Sequence, residues 1–461
     1  MKILRNLLSI TLAATALSAA ADDAKYIFYF IGDGMGTGHA TATESYLRDV
    51  RHEAMPLMMT FPVGGQSSTY SASSPVTDSA AAGTALATGR KTRNGMLGMD
   101  PDTTEVTSIA KRLKYAGYGV GLLTTVAPDD ATPAAFYAHV PNRKMYYEIG
   151  AQAADSGVDF FAGSNWRGAA KKDGTPTDLT ELFAKGGYTT VRGTAGLDSI
   201  KAEKLVVLNT DSLRLADVGY TLDSIGGVSL PEMTAAALSH LQRVSPERFF
   251  MMVEGGNIDW AGHANDGATI IKEVMNFNEA LQQAYDFYKA HPEETLIVVT
   301  ADHETGGMAM GNNYLDYDAN LALIDRQRVS KDEFNNSIEA MLRSKRIYSW
   351  SDIRDELSEL FGFWAEIPLT EAQNAALEDA YRITFEDRTP ERTKTYYKYY
   401  SPLVMTVFRI LQDHYGLGFT TGNHSGNMVP VYAIGAGAEK FAGFYDNVDI
   451  PMKIMEAAGV K

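Results

Sequence analysis

Six short runs along the chain are apolar at nearly every position: 26–31 (YIFYFI), 119–124 (GVGLLT), 205–208 (LVVL), 249–253 (FFMMV), 295–300 (TLIVVT) and 430–434 (PVYAI). Unbroken apolar runs of this length suit strands covered on both faces, because neither face then meets water. Between them the period changes to that of a helix, as in 104–115, 233–241 and 270–288. Strands alternating with helices predict an α/β fold, a three-layer α/β/α sandwich around a central, mainly parallel sheet.

The rhythm breaks twice. Residues 312–420 are charged and aromatic, with helical patterns at 331–342 and 351–360 followed by KTYYKYYSP. They are read as an inserted helical cap or crown, leaving 22–311 and 421–461 as the main α/β domain. The tyrosines can form a binding surface or pack internally, and packing is the preferred reading for so amphipathic a ring. Residues 162–200, rich in Gly and Lys, are expected to form a second, smaller and irregular excursion.

Composition and the first residues narrow the setting. Lys2 and Arg5, an apolar stretch over 7–17 and the small residues Ala19-Ala20-Ala21 read as a signal peptide over 1–21. The expected protein is exported, periplasmic or extracellular. The apolar stretch is too short to cross a bilayer comfortably, and no other segment predicts a membrane span. The chain has no cysteine, so export brings no disulfide framework and no thiolate can act as nucleophile or metal ligand. A net charge of −16 argues against nucleic acid as a dedicated partner. An anionic substrate would need a locally positive site, for which metal ions are the obvious source.

Chemistry-bearing residues follow three of the apolar runs. Asp33 comes after the first, Glu254 and Asp259 after the fourth, and Asp302-His303 after the fifth. Open α/β sheets bind ligands at the carboxyl ends of their strands. With His263 and His424, also in Gly-rich surroundings, these make a candidate metal cluster; Asp259 and His263, four apart, share one face of a helical turn. Imidazole with carboxylate and no thiolate suits zinc, and carboxylate with hydroxyl suits magnesium. His39, His52, His139, His240, His291 and His414 are read as ordinary surface or core histidines. In PVTDSAAAGTALATG, residues 75–89, Asp78 and Ser79 precede an alanine-rich helix. Capping accounts for such a pair at an arbitrary helix start. The same end is also an anion site, where a serine can meet a phosphate or sulfate.

The segments FIGDGMG, VTDSAAAGTALATG, DDATPAAFYAHVPNRK, MVEGGNIDWAGH, VVTADHETGG and TGNHSG stand in the order and spacing of alkaline phosphatases. The sequence resembles that family from about residue 26 to 434, apart from the two excursions. The resemblance implies a phosphoric monoester hydrolase with two zinc ions and one magnesium ion, acting on phosphate monoesters as a homodimer. It assigns Asp259, His263 and His424 to the first zinc. Asp302 and His303, with Asp33 bridging, fall to the second, which also holds the nucleophile Ser79. The other oxygen of Asp33, Thr132 and Glu254 fall to magnesium. Arg143 would grip phosphate oxygens, positioned by Asp78, and turnover would pass through a phosphoserine. Relatives pair aspartate with lysine, or histidine with tryptophan, near the phosphate; this chain combines Asp130 with Trp260, which leaves Trp260 between substrate binding and packing. Thr132 and Glu254 argue against a phosphodiesterase of the same superfamily. The lack of cysteine, and of Pro and Arg after Ser79, argues against a sulfatase. Ser79 beside Asp78 argues against a phosphate- or metal-binding protein without turnover.

Overall fold

Each of the six apolar runs forms a strand of one ten-stranded sheet. The computed structural model describes residues 23–212, 216–223, 227–344, 346–387, 392–394 and 398–461, so the signal peptide read over 1–21 lies outside the described residues. In chain order the strands are β1 (Tyr26–Ile31), β2 (Val63–Ser68), β3 (Gly119–Thr124), β4 (Phe160–Gly163), β5 (Tyr188–Arg192), β6 (Lys204–Leu208), β7 (Phe249–Glu254), β8 (Thr295–Thr300), β9 (Val429–Gly435) and β10 (Gly443–Asp446). Across the sheet they lie β10-β2-β9-β8-β1-β7-β3-β4-β6-β5. Every pairing is parallel except those of β9 with β2 and β8.

The side chains of β1 alternate between two cores. Phe28 and Phe30 join the core on one face with helices Thr37–Tyr46, Leu230–Val244 and Gly267–Ala290. Ile27, Tyr29 and Ile31 join the opposite core with Ser79–Thr88, Ile109–Tyr115 and Asp449–Ala457. This is the predicted α/β/α sandwich, and burial on both faces explains why the central runs are apolar throughout.

The excursion over 162–200 is not irregular throughout. It completes β4, then forms helix Leu179–Lys185 and the edge strand β5, most of whose residues stay partly or fully exposed. The helix expected over 104–115 begins only at Ile109, where the Ser108 side chain accepts from the Lys111 N–H and caps it.

Within 312–420 lie helices Lys331–Arg343, Trp350–Phe361, Glu371–Tyr381 and Pro402–Tyr415. Ser330, Ser349, Thr370 and Ser401 cap their starts, each hydroxyl accepting a backbone N–H three residues on. Their apolar faces (Phe334, Leu357, Phe361, Val404 and Phe408 among them) join the core on the β1 Phe28 side of the sheet. In KTYYKYYSP, Tyr400 is buried and donates its hydroxyl to Asp332, as the packing reading expects, whereas Tyr399 is exposed. No helix among the described residues is long and apolar enough to cross a membrane.

Candidate active site

Strand register brings the site loops to one height. Ile31 of β1 lies level with Glu254 of β7 and with Thr300 of β8, and Thr124 of β3 lies level with Glu254. The loops beginning at residues 32, 255 and 301 therefore leave the sheet side by side, at its carboxyl edge. Gly34 makes the approach possible. Its φ is +74°, and a Cβ there would stand 2.8 Å from the Asp259 Cα and from Thr305 Oγ1.

Asp302 is held by one oxygen only. Its Oδ1 accepts from the backbone N–H of Gly34 (3.1 Å) and of His303 (2.9 Å), while Oδ2 faces His303 Nε2 at 3.1 Å. The same Nε2 lies 3.4 Å from Asp33 Oδ1 and 3.2 Å from Ser79 Oγ. One ring nitrogen can make one hydrogen bond, so three oxygens around it describe converging ligand atoms rather than a serine–histidine pair.

Asp259 and His263 share a face of helix Asn257–Ala264, with Oδ2 and Nε2 3.4 Å apart. His263 Nδ1 lies 2.8 Å from the carbonyl of Gly422, and His424 Nδ1 lies 2.8 Å from that of Thr77. Each ring thus commits its proton to a carbonyl, and the two Nε2 lone pairs point at each other across 3.1 Å. Burial and the neighbouring His303 and His263 pull His424 down to about 3, so it does not relieve the contact by protonation. Two facing lone pairs repel unless a cation lies between them.

The carboxylates make the same demand. Asp33, Asp259, Asp302 and Glu254 are all buried, and Asp33 Oδ1, Asp259 Oδ2, Asp302 Oδ2 and Glu254 Oε1 have no hydrogen-bond partner. Burial, then the carboxylates of Asp302, Asp259 and Glu254, raise Asp33 well above the ordinary carboxylate range. Burial chiefly, aided by Asp302 and Asp130, pushes Glu254 up to about 8. So much buried negative charge requires compensation that no lysine or arginine among the described residues supplies. Asp259, His303 and His424 offer ligand atoms within 4.8 Å of one another, as do Asp33, Asp302 and His303. Imidazole and carboxylate donors in these groups fit zinc. Thr132 Oγ1, 3.4 Å from Asp33 Oδ2, and the orphaned Glu254 Oε1 form an all-oxygen group that fits magnesium.

Ser79 is not the cap of its helix. Asp78 takes that role, accepting the Ala81 N–H with Oδ1 at 3.0 Å, and Ser79 is the first helical residue, buried, with its hydroxyl turned to His303. The other Asp78 oxygen accepts from Gly95 N–H (3.0 Å) and from Arg143 Nη1 (3.2 Å). Arg143 Nη2 donates to Asp130 Oδ1 (3.1 Å), and Asp130 Oδ2 accepts from Arg167 Nη1 (2.8 Å). The rim is therefore a chain of alternating charge, Asp78–Arg143–Asp130–Arg167. Trp260, half-buried on helix Asn257–Ala264, packs against the large core.

The sequence-predicted cluster is brought together around the ends of β1, β3, β7 and β8. Three supporting residues escaped sequence reasoning. Thr305 donates to Asp259 Oδ1 (2.5 Å), and Thr124 donates to Glu254. Both sit within two residues of a strand end or a candidate ligand, the one signal that could have found them. Arg167, inside the supposedly irregular 162–200 segment, carried no signal.

Comparison with known proteins agrees with this geometry. The family model described as alkaline phosphatase matches residues 24–164 and 157–460. The chain is 30% identical over 455 residues to alkaline phosphatase 4 of Bacillus subtilis, an alignment covering 95% of this chain and 89% of that protein. The solved cold-active alkaline phosphatase of a psychrophilic Shewanella superposes with a TM-score of 0.79 at 29% identity, covering 94% of this chain and 99% of that one. A mutant alkaline phosphatase of the Antarctic bacterium TAB5, solved with magnesium in its M3 site, gives a TM-score of 0.66 at 26% identity, covering 95% and 99%.

Proposed function

The chain belongs to the alkaline phosphatase family, as a phosphoric monoester hydrolase, and we propose that it works through a phosphoserine on Ser79 with two zinc ions and one magnesium ion. Asp259, His263 and His424 would hold one zinc, Asp33, Asp302 and His303 the other, and Asp33, Thr132 and Glu254 the magnesium. The observation that carries this reading is the set of orphaned buried carboxylate oxygens facing imidazole lone pairs at the strand ends. Bound there, the ions supply Lewis acidity, lowering the pKa of a hydroxyl or water and neutralising charge on oxygen.

The chain's own residues do the rest. Ser79 Oγ attacks phosphorus, breaking the ester bond to the leaving alcohol, and water then cleaves the phosphoserine to return the hydroxyl. The free N–H groups at the start of helix Ser79–Thr88 and the fork of Arg143 meet the equatorial phosphate oxygens. Asp78 and Asp130 hold that fork from both sides and fix its plane. Removing bulk water from Ser79, only 1% exposed, strengthens each of these interactions. We further propose that 312–420 is an inserted cap over the domain formed by 22–311 and 421–461, and that the protein is exported and homodimeric.

The test is chemical trapping. Acid quench during hydrolysis of an aryl phosphate should leave phosphate on Ser79. Ser79→Ala should lose the adduct and slow turnover by about 10³-fold or more, with metal content retained. An Ala variant that turns over normally would remove Ser79 from the chemistry.

A further inference from the structure

Above the rim opens a cavity of about 710 Å³ lined by Arg143, Lys144, Arg167 and Lys394, with Asp130 as its one acid. A second cavity of about 650 Å³ shares Lys144, Tyr146 and Arg167 with it and continues to Lys171 and Lys172. The two are arms of one trough, divided by the Arg167 guanidinium, which lies over the Tyr146 ring at 4.3 Å. On a chain of net charge −16 this trough concentrates six cations against three acids, Asp130, Glu148 and Asp178.

The cations divide by what they already do. Arg143 and Arg167 are engaged with Asp78 and Asp130. Lys144, Lys171 and Lys172 are exposed and form no ion pair among the described residues. Among the acids, Asp130 is spent on the arginines, and Asp178 accepts the Tyr147 hydroxyl at 2.8 Å. Holding a phosphate is assigned to the rim and the metal ligands, so the lysines farther along the trough face the part of the substrate that leaves.

We propose that Lys144, Lys171 and Lys172 select phosphate monoesters whose leaving group carries a second anionic group, such as a carboxylate or another phosphate. This rests on the phosphomonoesterase reading above. A cleft of one sign with low-dielectric walls concentrates substrate of the opposite sign, and each lysine adds a direct but solvent-screened attraction.

The test compares 6-phosphonooxyhexanoate with its neutral carboxamide, on the zinc- and magnesium-loaded protein. The carboxylate should be preferred roughly tenfold in kcat/KM at low salt, with the preference falling as the Debye length contracts toward ~0.5 M salt. Lys144→Ala, and separately Lys171→Ala with Lys172→Ala, should each reduce that ratio roughly threefold, so that the two losses together account for the tenfold preference. Lys144→Arg should restore it, and Lys171→Glu with Lys172→Glu should invert it. Equal kcat/KM for the two esters, or a ratio indifferent to all these changes, overturns the selectivity while leaving the hydrolase intact. If neither ester is cleaved, the phosphomonoesterase reading itself falls.

Discussion

At the floor of the site, Asp33, Asp259, Asp302 and Glu254 gather with three imidazoles and leave one oxygen each without a hydrogen-bond partner. At the rim, a few residues away, Asp78, Arg143, Asp130 and Arg167 alternate in sign, each charge answered by the next at 2.8–3.2 Å. Both regions are largely buried, yet only the rim closes its own charge. The floor is incomplete as a piece of protein chemistry and calls for cations, whereas the rim balances its own charge. Stripping ions should therefore disable the floor alone, whereas side-chain replacement can dismantle the rim with the ions in place.

The largest expected effect follows from that division. Prolonged chelation should abolish hydrolysis of phosphate monoesters, and zinc with magnesium should restore it. Chelation should also lower thermal stability, because four buried carboxylates then face one another uncompensated. Activity that survives exhaustive chelation, verified by metal analysis, would show that the floor closes its charge some other way.

Next comes the rim. Arg143→Ala removes a planar fork held from both sides, and kcat/KM should fall by roughly 10²-fold with zinc content unchanged. If zinc is lost together with activity, floor and rim are one unit and the contrast fails.

The contrast also explains what could be read in advance. The floor was legible because most of its candidate ligands follow unbroken apolar strands, and the strand ends in β1, β7 and β8 are level by register. The rim was legible only in part. Asp78 and Arg143 stand in recognisable motifs, but Arg167 lies between β4 and the edge strand β5, where exposed positions hide the sheet period. The same reason hid β2, whose sequence VGGQSS carries two glycines and no apolar run, and β10 at the sheet edge. Longer buried central strands announce themselves; the four-residue β4, though buried and central, the edge elements and the loops hung from them do not.

A smaller effect separates the two kinds of proposed metal site within the floor. Glu254→Gln keeps the shape but removes a charge from the all-oxygen group, and should weaken magnesium binding about tenfold while both zinc ions stay. Titrating activity against magnesium measures it. A variant with unaltered magnesium dependence would take Glu254 out of the ligand set.

The smallest effect belongs to a residue behind the rim. Asp129 is buried, and its two oxygens accept from the backbone N–H groups of Arg167 (3.0 Å) and Gly168 (2.7 Å), fixing the loop that presents Arg167 to Asp130. Burial, opposed by those N–H groups, raises its pKa to about 7. For an acid raised on folding, the stabilising contribution is fully present below the unfolded value near 4 and is lost as pH rises toward the folded value. Asp129→Asn does not ionise, but gives up one of the two acceptors, which costs about 1–3 kcal/mol at every pH. The parent should therefore lose stability relative to the variant as pH rises from 5.5. The difference should shift by about 2 kcal/mol in the variant's favour by pH 7.5 and stay constant above it, in urea unfolding with metals saturating. Parallel curves across that range would mean that Asp129 does not titrate there and that the rim's internal charge balance extends to the residue behind it.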